Sequence, residues 1–456
     1  MRFLSLLFGL AWTLPAADIY YLLWFDTEDY VEPTADDAAL RLAGDLEKLD
    51  VRATFKVVGE KARVLERRGR VDVIRALSRH DIGYHAENHS IPPPPAMYMK
   101  QLGMIEGAQE FERREGQGVR DIERIFGVTP SCYGQPGSSW GPQSTIALRR
   151  LGIPIYMDEG SQVGLDSQPF WYGGILFVFN LQRFNMRADL NDESKLADAT
   201  GKFDTAVAEL GRRGGGVIHT YYHPTEFIAT EFWDAVNFAR GRYTPAADYK
   251  SPKLRTRESS EKAHQIMLRF VAHVRQTPGV RIVTARQLMQ IYASPVIPVD
   301  RAAARTQLRE SIDTSGPHSA ADLLLAVLGL EPQYVDGPTQ RKESNLTAAG
   351  SVPRELFERG KRDAIQYVQR HRRLPSHVWF GSGFLSLADF TATVAHDDGV
   401  SGQVAVKKGV TAFERHVATD ARGAFNWAIH PDSFEAPELL ELGRLQAWTL
   451  KPARLR

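Results

Sequence analysis

Two histidines four residues apart, His85 and His89, form the most informative pattern in this chain of 456 residues. Residues four apart on a helical turn lie one above the other, so both imidazoles can face one cation. Two neutral imidazoles, one carboxylate and an open position for water are the ligands of a catalytic zinc or a similar divalent ion. With 13 histidines in the chain, this spacing also arises by chance. The surrounding sequence therefore has to support a metal site.

Two apolar segments that end in polar residues supply the other candidate groups. Residues 19–25 form an uninterrupted apolar run, which predicts a strand buried on both faces, and Asp26 and Glu28 follow it. Residues 214–223 predict a second strand, which ends in His223. The carboxyl ends of parallel strands meet on one side of a barrel, where catalytic groups collect. We expect these side chains to converge with the histidine pair.

Amide hydrolysis is the chemistry that these residue types could perform. It needs an activated water, a site for negative charge on the carbonyl oxygen, and a proton for the departing amine. A divalent ion held by Glu28, His85 and His89 would serve the first two needs. Asp26 is the candidate base, and His223 is the candidate acid that returns a proton to nitrogen.

Two of these roles have rival candidates nearby. Asp29 could replace Glu28 as the third ligand, but alternation along a strand puts Glu28 on the same side as Asp26. His219 competes with His223. Four residues of strand span about 13 Å, so His219 and His223 cannot both touch one metal.

Other polar and aromatic residues are expected to have supporting or structural roles. Backbone N–H groups near Gly137 would stabilise an oxyanion, with Trp140 as a further substrate contact. Cys132 is the only cysteine, which excludes an internal disulfide and predicts a small buried apolar residue. Glu87 is interpreted as a solvated turn residue and not as a ligand.

Over about residues 18–290 the chain resembles the polysaccharide deacetylases of carbohydrate esterase family four, the NodB-homology proteins. Residues 25–28 (FDTE) resemble the family's first motif, an Asp base followed after one residue by a metal-binding acid. Residues 79–90 (RHDIGYHAENHS) resemble its second motif. Residues 217–223 resemble its last motif, a hydrophobic strand that ends in a catalytic His.

This resemblance implies a distorted (β/α) barrel and a divalent metal ion, expected to be Zn2+. The implied reaction removes N-acetyl or O-acetyl groups from a polysaccharide or a peptidoglycan-like substrate. One motif of the family is not matched, because Gly134 stands at the position where the family usually has an Arg that orients the base. A glycan-binding protein with impaired turnover, or an amidohydrolase of the same superfamily that cleaves small amides, therefore remains an alternative.

Composition and periodicity fit an enzyme with a parallel sheet. Lys and Arg total 56 against 55 for Asp and Glu, so the net charge of +1 gives no electrostatic case for nucleic acid as a partner. Strand and helix patterns alternate, with helices predicted at 36–49 and 62–78 around a strand at 53–58. The length predicts one large barrel and a smaller second unit.

The chain is predicted to contain four consecutive parts. Residues 1–17 have the layout of a signal peptide, too short to span a bilayer, which predicts a secreted or periplasmic protein without a transmembrane anchor. The catalytic barrel is expected at 18–292, a linker at 293–305, and a mainly helical accessory domain at 306–456.

Two short segments characterise the accessory domain. Residues 319–328 and 386–395 each predict a helix that begins with a serine cap and carries an Asp in its first turn. The run 374–379 has a faint similarity to wall-binding repeats of the pseudomurein-binding type. That similarity implies association with the cell envelope.

Overall fold

The computed structural model describes residues 18–346 and 350–456, so the predicted signal peptide at 1–17 lies outside the described residues. Strands alternate with helices along most of the chain. The strands are β1 Asp18–Thr27, β2 Thr54–Val57, β3 Asp81–Tyr84, β4 Ile155–Asp158, β5 Phe170–Tyr172, β6 Ile175–Phe179, β7 Gly215–Tyr222, β8 Val280–Val283, β9 Ser351–Pro353, β10 His377–Phe380, β11 Gly383–Ser386, β12 Gln403–Ala405 and β13 Lys451–Pro452.

The helices surround these strands and cover their apolar side chains. They are α1 Thr34–Lys48, α2 Gly59–Arg67, α3 Val71–Leu77, α4 Pro95–Met99, α5 Met104–Phe126, α6 Ser144–Arg150, α7 Leu196–Arg213, α8 Trp233–Phe238, α9 Arg257–Gln276, α10 Ala285–Ile291, α11 Arg301–Glu310, α12 Ala320–Leu328, α13 Arg354–His371, α14 Leu387–His396 and α15 Pro437–Gln446. Within the described residues, no helix has both the length and the apolar character needed to cross a membrane.

The main sheet is parallel and has β1 at its centre. Its strand order is β3-β2-β1-β7, and β8 pairs with the first half of β1. Residues 19–25 of β1 are buried, which explains their continuous apolar sequence, because a central parallel strand is covered on both faces. The α/β class with a parallel sheet, expected from the alternating pattern, is confirmed.

A second sheet, in the order β13-β5-β6-β4, lies beside the first. Isolated parallel bridges connect the two sheets, at Tyr84–Tyr133, Tyr133–Tyr156 and Asn185–His219. In the part of the chain that the structure describes, no continuous ladder closes a barrel. The strand ends nevertheless lie close enough to share one cavity.

The last third of the chain packs against the part that precedes it. Helix α11 begins inside the segment 293–305 that was predicted as a linker. Strand β13 pairs with β5 of the second sheet, with Lys451 opposite Trp171. The predicted serine caps are present, since the Ser319 and Ser386 side chains accept hydrogen bonds from backbone N–H groups at the starts of α12 and α14. The domain boundary itself stays a prediction.

Candidate metal and hydrolytic site

Four parallel strands end at one cavity, and each brings a titratable side chain to it. Asp26 lies near the end of β1 and Asp158 ends β4, while His85 and His223 directly follow β3 and β7. Glu28 comes one residue after β1. All five line the same cavity of about 410 Å3. The expected convergence of strand ends is therefore present in this fold.

The two histidines of the starting pattern lie in a loop. The prediction of a helical turn was wrong: after β3 the backbone reverses through the left-handed region at Ala86 and at His89, with φ of 67° and 55°. Such conformations are uncommon for residues other than glycine and are held by their surroundings. The Gly59 N–H donates to the Ala86 carbonyl oxygen at 3.0 Å. The imidazoles still face each other, with ring centroids 4.8 Å apart.

Glu28, His85 and His89 form a buried cluster that could hold a metal ion. Glu28 Oε2 lies 2.9 Å from His89 Nε2 and 3.3 Å from His85 Nε2. One ligand atom from each of the three residues lies within 4.8 Å of the others. The other carboxylate oxygen, Oε1, accepts a hydrogen bond of 3.0 Å from Trp233 Nε1. The indole thereby directs Oε2 toward the imidazoles.

Hydrogen bonds at the outer nitrogens orient both imidazoles. His85 Nδ1 donates to the Gly134 carbonyl oxygen at 3.0 Å, which leaves Nε2 as the nitrogen that can bind a metal. His89 Nδ1 lies 2.6 Å from Ser90 Oγ, which donates to Asp234 Oδ2 at 3.4 Å. Burial lowers the pKa of His85 to about 4. A neutral imidazole held by an outer hydrogen bond is the form that ligates metals, so the donor set fits a divalent ion.

Asp26 and His223 lie beside this cluster and hold opposite charges. His223 Nε2 is 3.7 Å from Asp26 Oδ2, and His223 Nδ1 is 2.7 Å from Glu226 Oε1. Burial alone would lower the pKa of His223, but the carboxylates of Glu28 and Glu226 outweigh burial and raise it to about 9. At neutral pH His223 therefore carries a proton that it can donate toward the cavity.

Lys56 of β2 supplies the positive charge beside Asp26. Its ammonium lies 2.9 Å from Asp26 Oδ1 and 2.8 Å from Asp158 Oδ2. Burial opposes ionisation of Asp26, but the Lys56 ammonium outweighs it and lowers the pKa of this carboxyl below its usual value. Burial raises the pKa of Asp158 to about 7 despite the same ammonium. The position of Gly134 therefore does not leave Asp26 without a cation.

Aromatic side chains form the walls of the cavity. Tyr221 and Phe232 line one part of it, and Trp427, from the C-terminal third, lines another. The Trp427 ring meets the His89 ring edge to face, with centroids 5.3 Å apart. Its backbone N–H donates to Ser138 Oγ at 3.0 Å, which fixes the segment at the rim. The site is thus built from two distant parts of the sequence.

Of the two residues assigned to substrate contact, the structure brings only Gly137 to the cavity. Gly137 has φ of 51°, and a Cβ at this position would overlap the Trp427 ring, so glycine is required there. Trp140 is fully buried and packs near Tyr172, with ring centroids 6.5 Å apart. It does not line the cavity. The assignment of Trp140 is corrected accordingly.

The rival candidates lie outside the cluster. Asp29 Oδ2 accepts a hydrogen bond from Thr225 Oγ1 at 3.2 Å, and the metal-ligand grouping found among the described residues does not include Asp29. His219 stacks on Trp24 with ring centroids 4.8 Å apart, and its Nε2 lies 2.7 Å from Glu159 Oε1. His219 therefore lies behind the cavity, next to Glu159, which is one of the lining residues.

Several residues of the site were not predicted from the sequence, among them Lys56, Asp158, Asp234 and Trp427. Lys56 carried a recognisable signal, because it is a charged residue inside a short strand that is otherwise apolar or small. Asp158 carried a weaker signal as the last residue of a strand. Asp234 and Trp427 belong to segments without a motif. Only the folded chain brings them to the metal ligands.

Searches with protein-family models and among curated proteins find no match to this chain. Solved structures do match. One, named a polysaccharide deacetylase from Mycobacterium smegmatis, is 16% identical, with 61% of this chain and 91% of that chain covered and a TM-score of 0.40. A 4-alpha-glucanotransferase from Thermococcus litoralis is 12% identical, with 60% and 40% covered and a TM-score of 0.39. An allantoinase is 16% identical, with 64% and 98% covered and a TM-score of 0.38.

Further matches include polysaccharide and peptidoglycan deacetylases and a pseudoenzyme of carbohydrate esterase family four. The three structures described above all have TM-scores below 0.5 and identities below 25%. These matches therefore indicate the fold, and only the residues of this chain indicate the chemistry of the site.

Proposed function

We propose that this protein is a metal-dependent hydrolase that removes N-acetyl, or O-acetyl, groups from a polysaccharide or a cell-wall glycan. The observation that supports this most is the meeting of two sets of side chains in one cavity. Glu28, His85 and His89 form a possible ligand set. Beside them, Asp26 Oδ2 and His223 Nε2 lie 3.7 Å apart, as a base and an acid.

Glu28, His85 and His89 would hold the metal ion. Two imidazole nitrogens and one carboxylate oxygen are typical ligands of catalytic zinc, so we propose Zn2+. When bound, the ion supplies a Lewis acid that polarises the acyl carbonyl and lowers the pKa of a water molecule.

Asp26 and His223 would move the protons. Asp26 Oδ2 accepts the proton of the attacking water, whose oxygen becomes part of the released acetate. The bond between acyl carbon and nitrogen breaks, and the nitrogen takes the proton of His223 Nε2. The Lys56 ammonium outweighs burial and lowers the pKa of Asp26, and the carboxylates beside His223 outweigh burial and raise its pKa, which favours the required form of each group at neutral pH.

The cavity walls suit a sugar ring. Phe232 is 38% exposed, and together with Tyr221 and Trp427 it offers apolar faces beside the polar floor. The alternative of a glycan-binding protein with impaired turnover was based on Gly134. It loses this basis because Lys56 lies 2.9 Å from Asp26. An amidohydrolase for small amides would use the same polar residues of the cavity. An assay with glycans and small cyclic amides in parallel distinguishes these two activities.

We also propose that the protein is secreted or periplasmic and associated with the cell envelope. The apolar start of the sequence supports this proposal. N-terminal sequencing of the protein recovered from the cell envelope should give a mature chain that begins near Asp18. An intact Met1 would contradict export with cleavage.

Acetate release tests the proposed activity. The zinc-loaded protein is incubated with chitin oligomers, peptidoglycan fragments and poly-N-acetylglucosamine, and with small cyclic amides in parallel. We expect acetate from at least one glycan, loss of turnover after chelation, and recovery when zinc is added back. Turnover of cyclic amides alone would favour the small-amide alternative. No turnover by protein with a full complement of metal would contradict the proposal.

A further inference from the structure

We infer that Lys56 is the positioning residue of the Asp26 carboxylate. It holds Oδ1 in the floor of the cavity, so that Oδ2 faces the His223 imidazole and the space for substrate. This inference rests on the proposed function, because it gives Asp26 the role of a base. It adds a residue on β2 to a site whose other proposed residues would contact the metal or the substrate directly.

The Lys56 ammonium has three oxygen neighbours. It donates hydrogen bonds to Asp158 Oδ2 at 2.8 Å and to the Met157 carbonyl oxygen at 3.0 Å, and it forms an ion pair with Asp26 Oδ1 at 2.9 Å. The Lys56 side chain is fully buried, with 0% of its surface exposed. The two hydrogen bonds fix the ammonium on the side of β4, and its charge attracts the Asp26 carboxylate on the side of β1. The position of Asp26 Oδ1 is therefore set by groups on two other strands.

The backbone places the two residues opposite each other. Asp26 and Lys56 are direct partners in the parallel ladder between β1 and β2. On the other side of β2, Lys56 is opposite Gly83 of β3. The short distance of the ion pair thus follows from the register of the sheet, which every residue of these strands helps to maintain.

Two glycines leave room for the lysine side chain. A Cβ at Gly134 would overlap Lys56 Nζ, and a Cβ at Gly83 would lie 3.0 Å from Lys56 Cγ. Both contacts are tighter than side chains in proteins allow without displacement. The absence of a side chain at Gly134 is therefore a requirement of the Lys56 position.

Burial of a charged lysine is unfavourable for stability, so we expect its charge to have a function. Removing an ammonium from water is unfavourable, and replacement of buried ion pairs by apolar residues is often neutral or stabilising. Here the ammonium contacts a cavity-lining carboxylate on one side and is anchored by Asp158 on the other. Control of Asp26 is the function that this arrangement can provide.

A double-mutant cycle tests the inference. Lys56→Met keeps the length and removes the charge. We expect kcat to fall about 100-fold, with KM changed less than about threefold and bound zinc unchanged. In an Asp26→Asn background the same change should lower kcat by less than about twofold, because the carboxylate that it positions is gone. Lys451→Met is the matched control, since Lys451 is also buried and paired, with Asp322 at 2.6 Å, but lies outside the cavity.

Full activity of Lys56→Met would overturn the inference. Equal losses of kcat in the wild-type and Asp26→Asn backgrounds would also overturn it. If Lys56→Met does not fold, Gly134→Ala carries the test, because its Cβ displaces the ammonium while the charge is retained. Gly134→Ala should then lower kcat at unchanged zinc content, and unchanged kcat would overturn the inference.

Thermal unfolding separates this inference from the proposed function. If the wild-type protein hydrolyses no glycan, the proposed function fails, but the pairing can still be measured. Lys56→Met should lower the melting temperature more in the wild type than in the Asp26→Asn background, since only the wild type then keeps an unpaired buried carboxylate at residue 26. Equal decreases in the two backgrounds would show that Lys56 does not hold Asp26.

Discussion

Asp26 and Lys56 lie opposite each other on neighbouring parallel strands, and their side chains form a buried ion pair of 2.9 Å. This pair leaves the second oxygen of Asp26 directed toward His223, at 3.7 Å. The metal-ligand cluster begins only two residues later, at Glu28. Proton transfer and metal binding are therefore assigned to different side chains of one strand end, and variants can separate them.

Replacing His85 or His89 by Ala should remove a metal ligand and lower both bound zinc and turnover. The loss of metal follows from the removal of one of three protein donors. Zinc content after dialysis, measured by mass spectrometry, checks the prediction. His273→Ala is the control, because His273 lies on the surface and pairs with Asp204 at 2.7 Å. Zinc loss in the control but not in the His85 variant would contradict the assigned ligands.

Activity should fall at alkaline pH as His223 loses its proton. The pKa of His223 in the folded protein is above the usual value of about 6.5. Its contribution to stability is therefore complete below about pH 6.5 and is lost as the pH rises through about 9. The profile of kcat/KM against pH is the measurement.

Glu226→Gln provides the control for this assignment. Glu226 Oε1 lies 2.7 Å from His223 Nδ1, and its negative charge helps to raise the pKa of the imidazole. Without that charge, the alkaline limb should move to lower pH. A limb that stays in place in Glu226→Gln, or that persists in His223→Ala, would show that another group titrates.

Trp427→Ala should raise KM with little change in kcat. The ring lines the cavity and meets the His89 ring, and it is not assigned a role in proton transfer. Loss of one stacking surface for a sugar costs about 1 kcal/mol, which corresponds to a KM increase of about fivefold. Trp379→Ala is a matched control, since Trp379 is 54% exposed and belongs to the separate hairpin of β10 and β11. Equal effects of both variants would argue against a substrate wall.

Trp140→Ala should destabilise the fold without a specific effect on the reaction. Trp140 is fully buried, and deletion of a buried Trp side chain costs about 3–5 kcal/mol. Denaturant unfolding measures the loss, and kcat of the remaining folded fraction should stay within about twofold of wild type. A large change in KM at unchanged stability would restore the substrate role that the sequence suggested.

The candidate residues at the ends of β1 and β7 were predictable from the sequence, because each group follows an apolar run. Residues 19–25 favour a covered strand, and the polar residues that follow then lie at its end. The same reasoning located His223, whereas His85 was indicated by its spacing from His89. The spacing argument failed on the conformation of the loop, because left-handed backbone at Ala86 and His89 is uncommon for residues other than glycine. The helix predicted at 62–78 is likewise two helices, separated near Gly69, whose φ is 66°.

Long-range contacts account for the rest of what the sequence did not reveal. Trp427 reaches the cavity because the C-terminal third folds back over the first unit, and no local pattern encodes that contact. The opposition of Lys56 and Asp26 depends on strand register, which the two separate segments do not specify by themselves. Trp140 was expected to contact substrate, but it lies in the core.

Turnover of Asp26→Asn per bound zinc tests the account most directly. The variant keeps the size of the side chain and all three metal ligands, and it removes only the base. We predict zinc content equal to wild type and kcat for acetate release reduced by about 100-fold to 10,000-fold, the usual contribution of a general base. If Asp26→Asn loses zinc while Glu28→Gln retains it, the two carboxylates have the opposite roles. If neither variant changes turnover, hydrolysis does not take place at this strand end.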